Sequence, residues 1–379
     1  MADVVHRIYL VPGMFGFGKL AGYDYFEHVE RSLGDRFDAA GIRYVLEVVP
    51  TPPTASIRRR ARVLAGKVFE TAGSGDDPIH LVGHSTGGLD ARIIASPTTD
   101  LDYDPNRLRW TERLRSVVTM NTPHHGTPLA QFFTSVSGTR LLYALSLLTF
   151  TTLRYGGPSL TVLSSLVAAI GRIDEAIGVD IHLLDRTTDL LLRVVGTKSR
   201  SEVKGWLDGI QQDQGGIIQI TPEAMDIFNA STVDANGVRY GCLATAAPSP
   251  SPLTLAKRVL SPYAALSATI YTTLYTITSR EHAHYPCPTP DEAIGQRLAK
   301  ACGVEVGEST SDGIVPTRSM LWGKLLWAGT GDHLDVVGHF KDDAKPARHI
   351  DWLHSGAGLT RRSFGQAMDA LAHFILDGS

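Results

Sequence analysis

Short apolar runs alternate with segments of helical periodicity along the first third of the chain. The runs predict four strands, at 8–11, 45–49, 79–82 and 116–120. Between the second and third runs, apolar residues recur every three to four positions. This predicts an amphipathic helix over 56–72, with Ser56 as its N-cap and Gly73 as its stop. A second helix is predicted after the third run, over 89–95. The alternation predicts an α/β fold with a mostly parallel central sheet and helices on both faces.

The alternation of predicted strands and helices stops after residue 130. Long apolar segments without strand alternation predict a helical cap or lid over 131–235, inserted between a core part at 1–130 and a second core part at 236–379. The second part carries an apolar insertion near 248–285. Its predicted elements are strands at 239–244 and 325–327 and a closing amphipathic helix over 363–376. The chain is therefore expected to form one large α/β core with one inserted cap.

The composition predicts a large hydrophobic core and argues against some classes of binding partner. Hydrophobic residues make up 43% of the 379 residues, which excludes global disorder, and the net charge of −3 argues against a nucleic-acid partner. The basic run at 58–60 is expected on a helix face and is too short to change this conclusion. The apolar stretches 141–153 and 259–279 are too interrupted for a transmembrane helix. The N-terminus lacks a secretory signal pattern, so the chain is expected to be cytoplasmic or a processed secreted form.

The three cysteines leave two alternatives open. Cys242, Cys287 and Cys302 form no C-x-x-C pair, which argues against a metal knuckle. Cys287 and Cys302 are the nearest pair and could form a disulfide. Three free thiols are the alternative, and the choice depends on the redox compartment.

The segment GHSTG at residues 83–87 lies where the third predicted strand meets a helix. A serine at the tip of such a turn has strained backbone, and the residues two positions to either side come so close that only a very small residue fits. Such a turn exposes the serine hydroxyl at a helix N-terminus, and the helix dipole there favours developing negative charge. Ser85 is therefore predicted to be a nucleophile. A merely structural tight turn is the alternative.

A serine hydroxyl needs a base, and the base needs an acid that orients it. In this strand–turn–helix setting the chain order is serine, acid, histidine. Asp312, in a turn after the cap, and His333, just after a late strand, satisfy that order. Asp332 is a competing acid, but neighbours in sequence orient each other's side chains poorly. The other late histidines are expected to be surface or packing residues: His339, His349, His354 and His373.

Several motifs, in order, resemble one family. They are GMFGF at 13–17, YDY at 23–25, GHSTG at 83–87, NTPHHGT at 121–127, TPEAM at 221–225, SDG at 311–313 and DHLD at 332–335. Together they resemble the bacterial true lipases of the Pseudomonas and Burkholderia type. The GHSTG and His-Leu-acid segments are also similar to those of thermophilic Bacillus-type lipases. The resemblance spans 8–130 and 221–345 and is weak through the cap.

The resemblance implies an α/β-hydrolase fold and carboxylester hydrolysis through an acyl-enzyme. It implies that Ser85 is the nucleophile, Asp312 the orienting acid and His333 the general base. It also implies an oxyanion hole formed by the backbone N–H groups of Met14 and Thr86. This agrees with the chemistry, because the tetrahedral intermediate needs two donors, one from the residue after the nucleophile and one from an early loop.

The resemblance raises two further points, about the oxyanion loop and about a metal ion. Pro12 stands where the family usually has a histidine that pins the oxyanion loop, so the rigidity of this loop is an open question. The family also often holds calcium near the catalytic histidine. This implies Asp335 as a ligand, with Asp291 or Glu292 as guesses for a second carboxylate. A loop-stabilising role for Asp335 is the alternative. No cofactor is required for the chemistry, and zinc is not expected, because the histidines at 124–125 and at 282 and 284 lack a convincing partner set.

The apolar residues of the cap favour a lipid or ester substrate with a medium or long acyl chain, such as triacylglycerol at a lipid–water interface. Phe15, Phe17 and His84 are candidates for the substrate groove. An acyltransferase or a polyester depolymerase would use the same triad, and a non-catalytic lipid-binding relative is a third reading. The sequence leaves the acyl chain length, the lid state and the oligomeric state open.

Overall fold

A parallel six-stranded sheet forms the centre of the molecule. The computed structural model describes residues 4–14, 16, 19–20, 23–155, 188–190, 192–193, 197–250, 262–342 and 349–377. The strands are β1 (Val5–Val11), β2 (Lys19–Leu20), β3 (Tyr23–Asp24), β4 (Arg43–Val48), β5 (Ile79–His84), β6 (Leu114–Met120), β7 (Arg239–Ala246) and β8 (Lys324–Thr330). The sheet has the order β4-β1-β5-β6-β7-β8 with every pair parallel, whereas β2 and β3 form a small antiparallel ribbon.

Helices cover both faces of this sheet. They are α1 (Glu27–Ala39), α2 (Ile57–Ala72), α3 (Thr86–Ala95), α4 (Pro128–Phe133), α5 (Val136–Tyr155), α6 (Thr197–Gln212), α7 (Gly215–Gln219), α8 (Pro222–Ser231), α9 (Pro262–Thr278), α10 (Glu292–Cys302) and α11 (Arg361–Leu376). The helices α1 and α11 pack on one face, and α2, α3 and α10 pack on the other. Because both faces are covered, the central strands are buried on both sides rather than on alternate residues, and all six residues of β5 are buried.

The α/β fold predicted from the sequence is confirmed. The helix α2 begins at Ile57, where the Ser56 hydroxyl accepts a hydrogen bond from the Arg59 N–H at 3.3 Å, and it is followed by Gly73. Within the basic run at 58–60, Arg60 is buried. The described cysteines are free thiols, so the disulfide alternative is wrong. The Cys302 thiol instead donates to the Gly329 carbonyl of β8 at 3.6 Å.

The predicted cap contains helices in every part that the structure describes. The described residues of 131–235 include α5, α6, α7, α8 and the second half of α4, and none of them belongs to a strand. Residues 156–187 of the predicted lid and 251–261 of the apolar insertion lie outside the described residues. The remainder of that insertion contains α9. No helix in the described part of the chain is long and apolar enough to cross a membrane.

Candidate active site

Ser85 occupies the sharp turn between β5 and α3. Its backbone has φ +53° and ψ −129°, a region that residues other than glycine avoid. Holding a serine in this conformation costs about 1–3 kcal/mol. A Cβ added to Gly83 would lie 2.3 Å from the Gly87 carbonyl carbon, and one added to Gly87 would lie 2.2 Å from the Val11 carbonyl oxygen. The close approach expected from the GHSTG pattern is therefore present, and it explains why both positions lack side chains.

Asp312 and His333 are brought together across 21 residues of sequence. The Oδ2 atom of Asp312 lies 2.6 Å from Nδ1 of His333. Its Oδ1 atom accepts hydrogen bonds from the backbone N–H groups of Ile314 at 2.8 Å and Val315 at 2.7 Å. These three bonds fix the carboxylate. Because the Asp312 carboxylate accepts a hydrogen bond from Nδ1–H of His333, the Nε2 atom at the other edge of the ring remains for proton transfer.

One apolar cavity joins Ser85 to His333 at the carboxyl end of the sheet. Both residues line it, together with side chains from the core and from the predicted cap. The lining residues are Met14, Tyr25, Ser85, Pro123, Thr127, Leu129, Ala130, Phe133, Leu145, Ile220, Ile314, Val315, His333, Leu334 and Trp352. Most of these side chains are aliphatic or aromatic, so the cavity suits a hydrocarbon chain beside a reacting polar group.

The two candidate oxyanion donors lie on either side of the nucleophile. Thr86 is the first residue of α3, so its N–H has no partner within the helix. Met14 follows β1 and lines the cavity. The loop before it lies directly against Ser85, since a Cβ added to Gly13 would come within 2.4 Å of the Ser85 Cβ. Two backbone segments that are distant in sequence therefore lie next to Ser85.

The oxyanion loop is anchored by Arg60, a residue that the sequence reasoning missed. Its Nη2 donates to the Pro12 carbonyl at 2.6 Å, and its Nε donates to Asp90 at 2.9 Å. Both side chains are buried, and burial raises the pKa of Asp90 to about 6 although Arg60 opposes the shift. A signal was available, because Arg60 stands at i+3 from Ile57 on the apolar stripe of α2. The loop is therefore held through the Pro12 carbonyl by a buried guanidinium.

His84 does not line the cavity, so its assignment to the substrate groove is wrong. The side chain is fully buried, with Nε2 at 2.9 Å from the His333 carbonyl oxygen and Nδ1 at 2.7 Å from the Tyr25 hydroxyl. A carbonyl only accepts, so Nε2 carries the proton and Nδ1 accepts from Tyr25. Burial, followed by the nearby His333, holds the pKa of His84 well below its usual value. The other two groove candidates, Phe15 and Phe17, lie outside the described residues.

The remaining late histidines do not line the cavity. The His339 Nε2 bonds to the Tyr25 carbonyl at 3.1 Å, and His349 stacks on His28 with ring centroids 4.2 Å apart. His354 bonds to the Ser267 hydroxyl, and the exposed His373 pairs with Asp377. The expectation that these four are packing or surface residues agrees with where they lie.

Three carboxylates form a compact cluster next to His333. One oxygen each of Asp332, Asp335 and Asp351 lies within 4.8 Å of the others. Burial, above all, raises the pKa of Asp332 to about 7 and that of Asp335 well above its usual value, with the neighbouring carboxylates adding to the shift of Asp335. Buried carboxylates that repel one another are a donor set of the kind that calcium prefers. Within the described part of the chain, this is the one group of three or more His, Cys, Asp or Glu side chains with ligand spacing.

The two guesses for a second calcium ligand are wrong. Asp291 is the N-cap of α10 and accepts from the Ile294 N–H at 2.8 Å. The Glu292 carboxylate accepts from the Gln296 side chain on the same helix at 3.0 Å. Both carboxylates therefore serve the start of a helix, and neither joins the cluster around Asp335.

The protein has an α/β-hydrolase fold. Its candidate site consists of a serine at a strand–helix elbow, a histidine and a buried acid. No family model matches the chain. Among characterised proteins, a stretch of 131 residues is 35% identical to the triacylglycerol lipase of Vibrio cholerae. That stretch covers 35% of this chain and 36% of the relative, so the match spans about a third of the relative's length.

Solved structures show the same fold over nearly the whole chain. The structure of EstA from Clostridium botulinum has a TM-score of 0.54 and 16% identity, and the match covers 97% of this chain and 87% of EstA. Lipase 1 from Pelosinus fermentans has a TM-score of 0.52 and 15% identity, with 98% and 99% covered. Because the identities are low, these likenesses show the α/β-hydrolase fold alone. The similarity is thus to lipases and esterases in general.

Proposed function

We propose that this protein is a serine carboxylester hydrolase of the lipase type, which hydrolyses acyl esters through an acyl-enzyme on Ser85. The observation that carries the proposal is the apolar cavity lined by both Ser85 and a histidine whose Nδ1 is bonded to the buried Asp312. The partial match to a triacylglycerol lipase supports the same class of reaction.

Acylation follows from this arrangement. The Ser85 hydroxyl oxygen attacks the ester carbonyl carbon, and Nε2 of His333 takes the hydroxyl proton. Asp312 stabilises the imidazolium that forms. The N–H groups of Met14 and Thr86 donate to the carbonyl oxygen as it becomes negative. The intermediate collapses when the C–O bond to the alcohol breaks, and His333 returns the proton to the departing alcohol.

Deacylation reverses the roles of the same groups. A water molecule gives a proton to Nε2 of His333 and attacks the acyl carbon. The second tetrahedral intermediate releases the Ser85 oxygen, which recovers its proton from His333. The products are a carboxylic acid and a free enzyme, with no redox change and no cofactor in either step.

The substrate and the finer family assignment belong to the same proposal. The apolar lining supports triacylglycerol or another medium- or long-chain ester rather than a small polar ester. The motifs support a true lipase of the Pseudomonas and Burkholderia type, with features shared by thermophilic Bacillus-type lipases. The segment 131–235 is proposed as the cap or lid, because Phe133 and Leu145 from it line the cavity.

A structural calcium ion is proposed at the carboxylate cluster. Asp332, Asp335 and Asp351 would hold it, since hard carboxylate oxygens at this spacing suit calcium. The bound ion would neutralise the buried charges and stiffen the segment that carries His333. The acyl transfer itself would be carried out by the protein's own groups.

The experiment compares wild type, Ser85→Ala and Ser96→Ala on p-nitrophenyl esters from C2 to C16 and on emulsified triacylglycerol. Ser96 is the matched control, because it caps the other end of α3 and is as little exposed as Ser85, at 6%. We expect Ser85→Ala to lose ester hydrolysis by at least about a thousandfold and Ser96→Ala to retain it. Full activity in a folded Ser85→Ala variant would refute the proposal.

A further inference from the structure

Trp352 is the largest side chain that lines the cavity shared by Ser85 and His333. It comes from the segment 349–359 that precedes α11, and it is only 5% exposed. The indole belongs to the same apolar cluster as Leu145 and Phe133, which reach the cavity from the predicted cap. The space left for an acyl chain therefore depends on where this ring lies.

A chain of two hydrogen bonds holds the ring against the cap helix α5. The indole N–H of Trp352 donates to the Thr149 hydroxyl oxygen at 2.9 Å, and that hydroxyl donates to the Leu145 carbonyl at 2.7 Å. A hydroxyl has one proton and two lone pairs, so both bonds form together. Leu145 also lines the cavity. The chain therefore connects two residues of the same wall.

The backbone around Trp352 is tied to the segment that carries His333. The Trp352 N–H donates to the His339 carbonyl at 3.3 Å. The Ser355 hydroxyl donates to Asp332 at 2.7 Å, next to His333, and the His354 N–H donates to the Ser267 hydroxyl of α9 at 2.7 Å. The ring is thus fixed from both ends, relative to the reacting groups on one side and to the cap on the other.

We propose that Trp352, oriented by Thr149, determines the acyl chain length that the enzyme accepts. The inference rests on the proposed ester hydrolysis and names a specificity residue for it. The indole fills volume that a longer acyl chain would occupy, so it sets an upper limit on length. The substrate's acyl part is an uncharged hydrocarbon, because the wall offers it apolar side chains.

The first test replaces the ring. In Trp352→Ala, the ratio of kcat/KM for C12–C16 over C4 p-nitrophenyl esters should rise by at least about tenfold, since each methylene newly buried is worth about fourfold. The ratio is the readout rather than either absolute kcat/KM, because a change in the fraction of active enzyme cancels in it. Trp352→Phe keeps most of the bulk and should give a smaller rise.

The second test removes the hydrogen bond that holds the ring. Thr149→Val deprives the indole N–H of its acceptor and should shift the length profile in the same direction as Trp352→Ala, by a smaller factor. Thr151→Val is the matched control on the same buried helix. The Thr151 hydroxyl donates to the Leu147 and Leu148 carbonyls of its own helix, so the length profile should stay that of wild type.

The outcomes separate this inference from the proposed function. If wild type hydrolyses no ester, or if Ser85→Ala remains active, the proposed function is wrong and the inference falls with it. If Ser85→Ala is inactive but a folded Trp352→Ala keeps the wild-type length ratio, only the inference is overturned. Should Trp352→Ala fail to fold, the profiles of Trp352→Phe and Thr149→Val decide, and wild-type ratios in both would overturn it.

Discussion

Ser85 and His84 show how strongly individual residues of the site are constrained by their surroundings. Ser85 has a positive φ, which the tight packing of Gly83 and Gly87 imposes. His84 is held neutral by burial and accepts from Tyr25 while it donates to the His333 carbonyl. Both side chains are positioned by their immediate surroundings, so the loss of a single hydrogen-bond donor in the site should have a measurable effect.

The anchor of the oxyanion loop gives a prediction for one residue. Arg60→Met should destabilise the protein by about 3–5 kcal/mol, because it leaves Asp90 buried without its partner. It should also lower kcat by roughly tenfold to a hundredfold, because the Pro12 carbonyl loses its donor and the loop shifts. Urea unfolding and initial rates, measured well below the unfolding midpoint, test both effects.

Arg59→Met is the matched control for this change. The neighbouring Arg59 is exposed and pairs with Asp213 at the surface, where an ion pair is worth about 0–1 kcal/mol. We expect nearly wild-type stability and rates. Equal behaviour of the two variants would contradict the assigned role of Arg60.

At the scale of elements, α1 packs against the segment after His333 through buried histidines. His28 of α1 stacks on His349 and meets His339 edge-on, with ring centroids 5.7 Å apart. Burial, followed by the charges of His339, His349 and Arg31, lowers the pKa of His28 to about 3, although Asp342 opposes the shift. The contact between these two elements therefore requires neutral imidazoles.

This contact predicts a loss of stability in acid. Above pH 6.5 His28 is neutral in both the folded and the unfolded chain. As the pH falls from 6.5 towards 3, the unfolded chain binds a proton that the folded chain does not, so stability falls, by about 2 kcal/mol at pH 5 for this one group. Urea unfolding at pH 7 and pH 5 measures the difference.

The variant His28→Phe should reduce the loss between pH 7 and pH 5 by about that amount. His373→Asn removes an exposed histidine of α11 and should keep the wild-type dependence. If His28→Phe loses as much stability in acid as wild type, the contribution assigned to His28 is wrong.

At the scale of the whole molecule, segments distant in sequence close around the site. The predicted cap contributes Phe133 and Leu145 to the cavity, and the segment before α11 contributes Trp352. The carboxylates Asp335 and Asp351 join two such segments next to His333. The stability of the closed arrangement should therefore depend on what neutralises those carboxylates.

The calcium proposal is tested by unfolding with and without the ion. Millimolar calcium should raise the unfolding temperature of wild type, and EDTA should lower it, because an ion that binds only the folded protein stabilises it by mass action. In Asp335→Asn the response to calcium should disappear. Glu292→Gln changes a carboxylate outside the cluster and should respond as wild type does. A wild-type protein whose unfolding temperature is indifferent to calcium would contradict the proposal.

The elements and the elbow were predictable because their causes are local. Apolar runs and helical spacing depend on which residues are neighbours in sequence, and the GHSTG pattern at 83–87 carries the geometry of its own turn. The positions of Arg60 and His84 were not predictable in the same way. Their partners, Pro12 and Asp90 for the first and Tyr25 and His333 for the second, come from distant segments.

The α/β fold, the elbow at Ser85 and the serine, acid, histidine order that selected Asp312 and His333 follow from the sequence alone. Each of these depends on local periodicity, turn geometry or chain order. The folded structure was needed to show that Asp351 completes the carboxylate cluster, that Arg60 anchors the oxyanion loop and that Trp352 forms part of the cavity wall. Those roles depend on distances between segments that folding brings together, and one-dimensional patterns do not encode such distances.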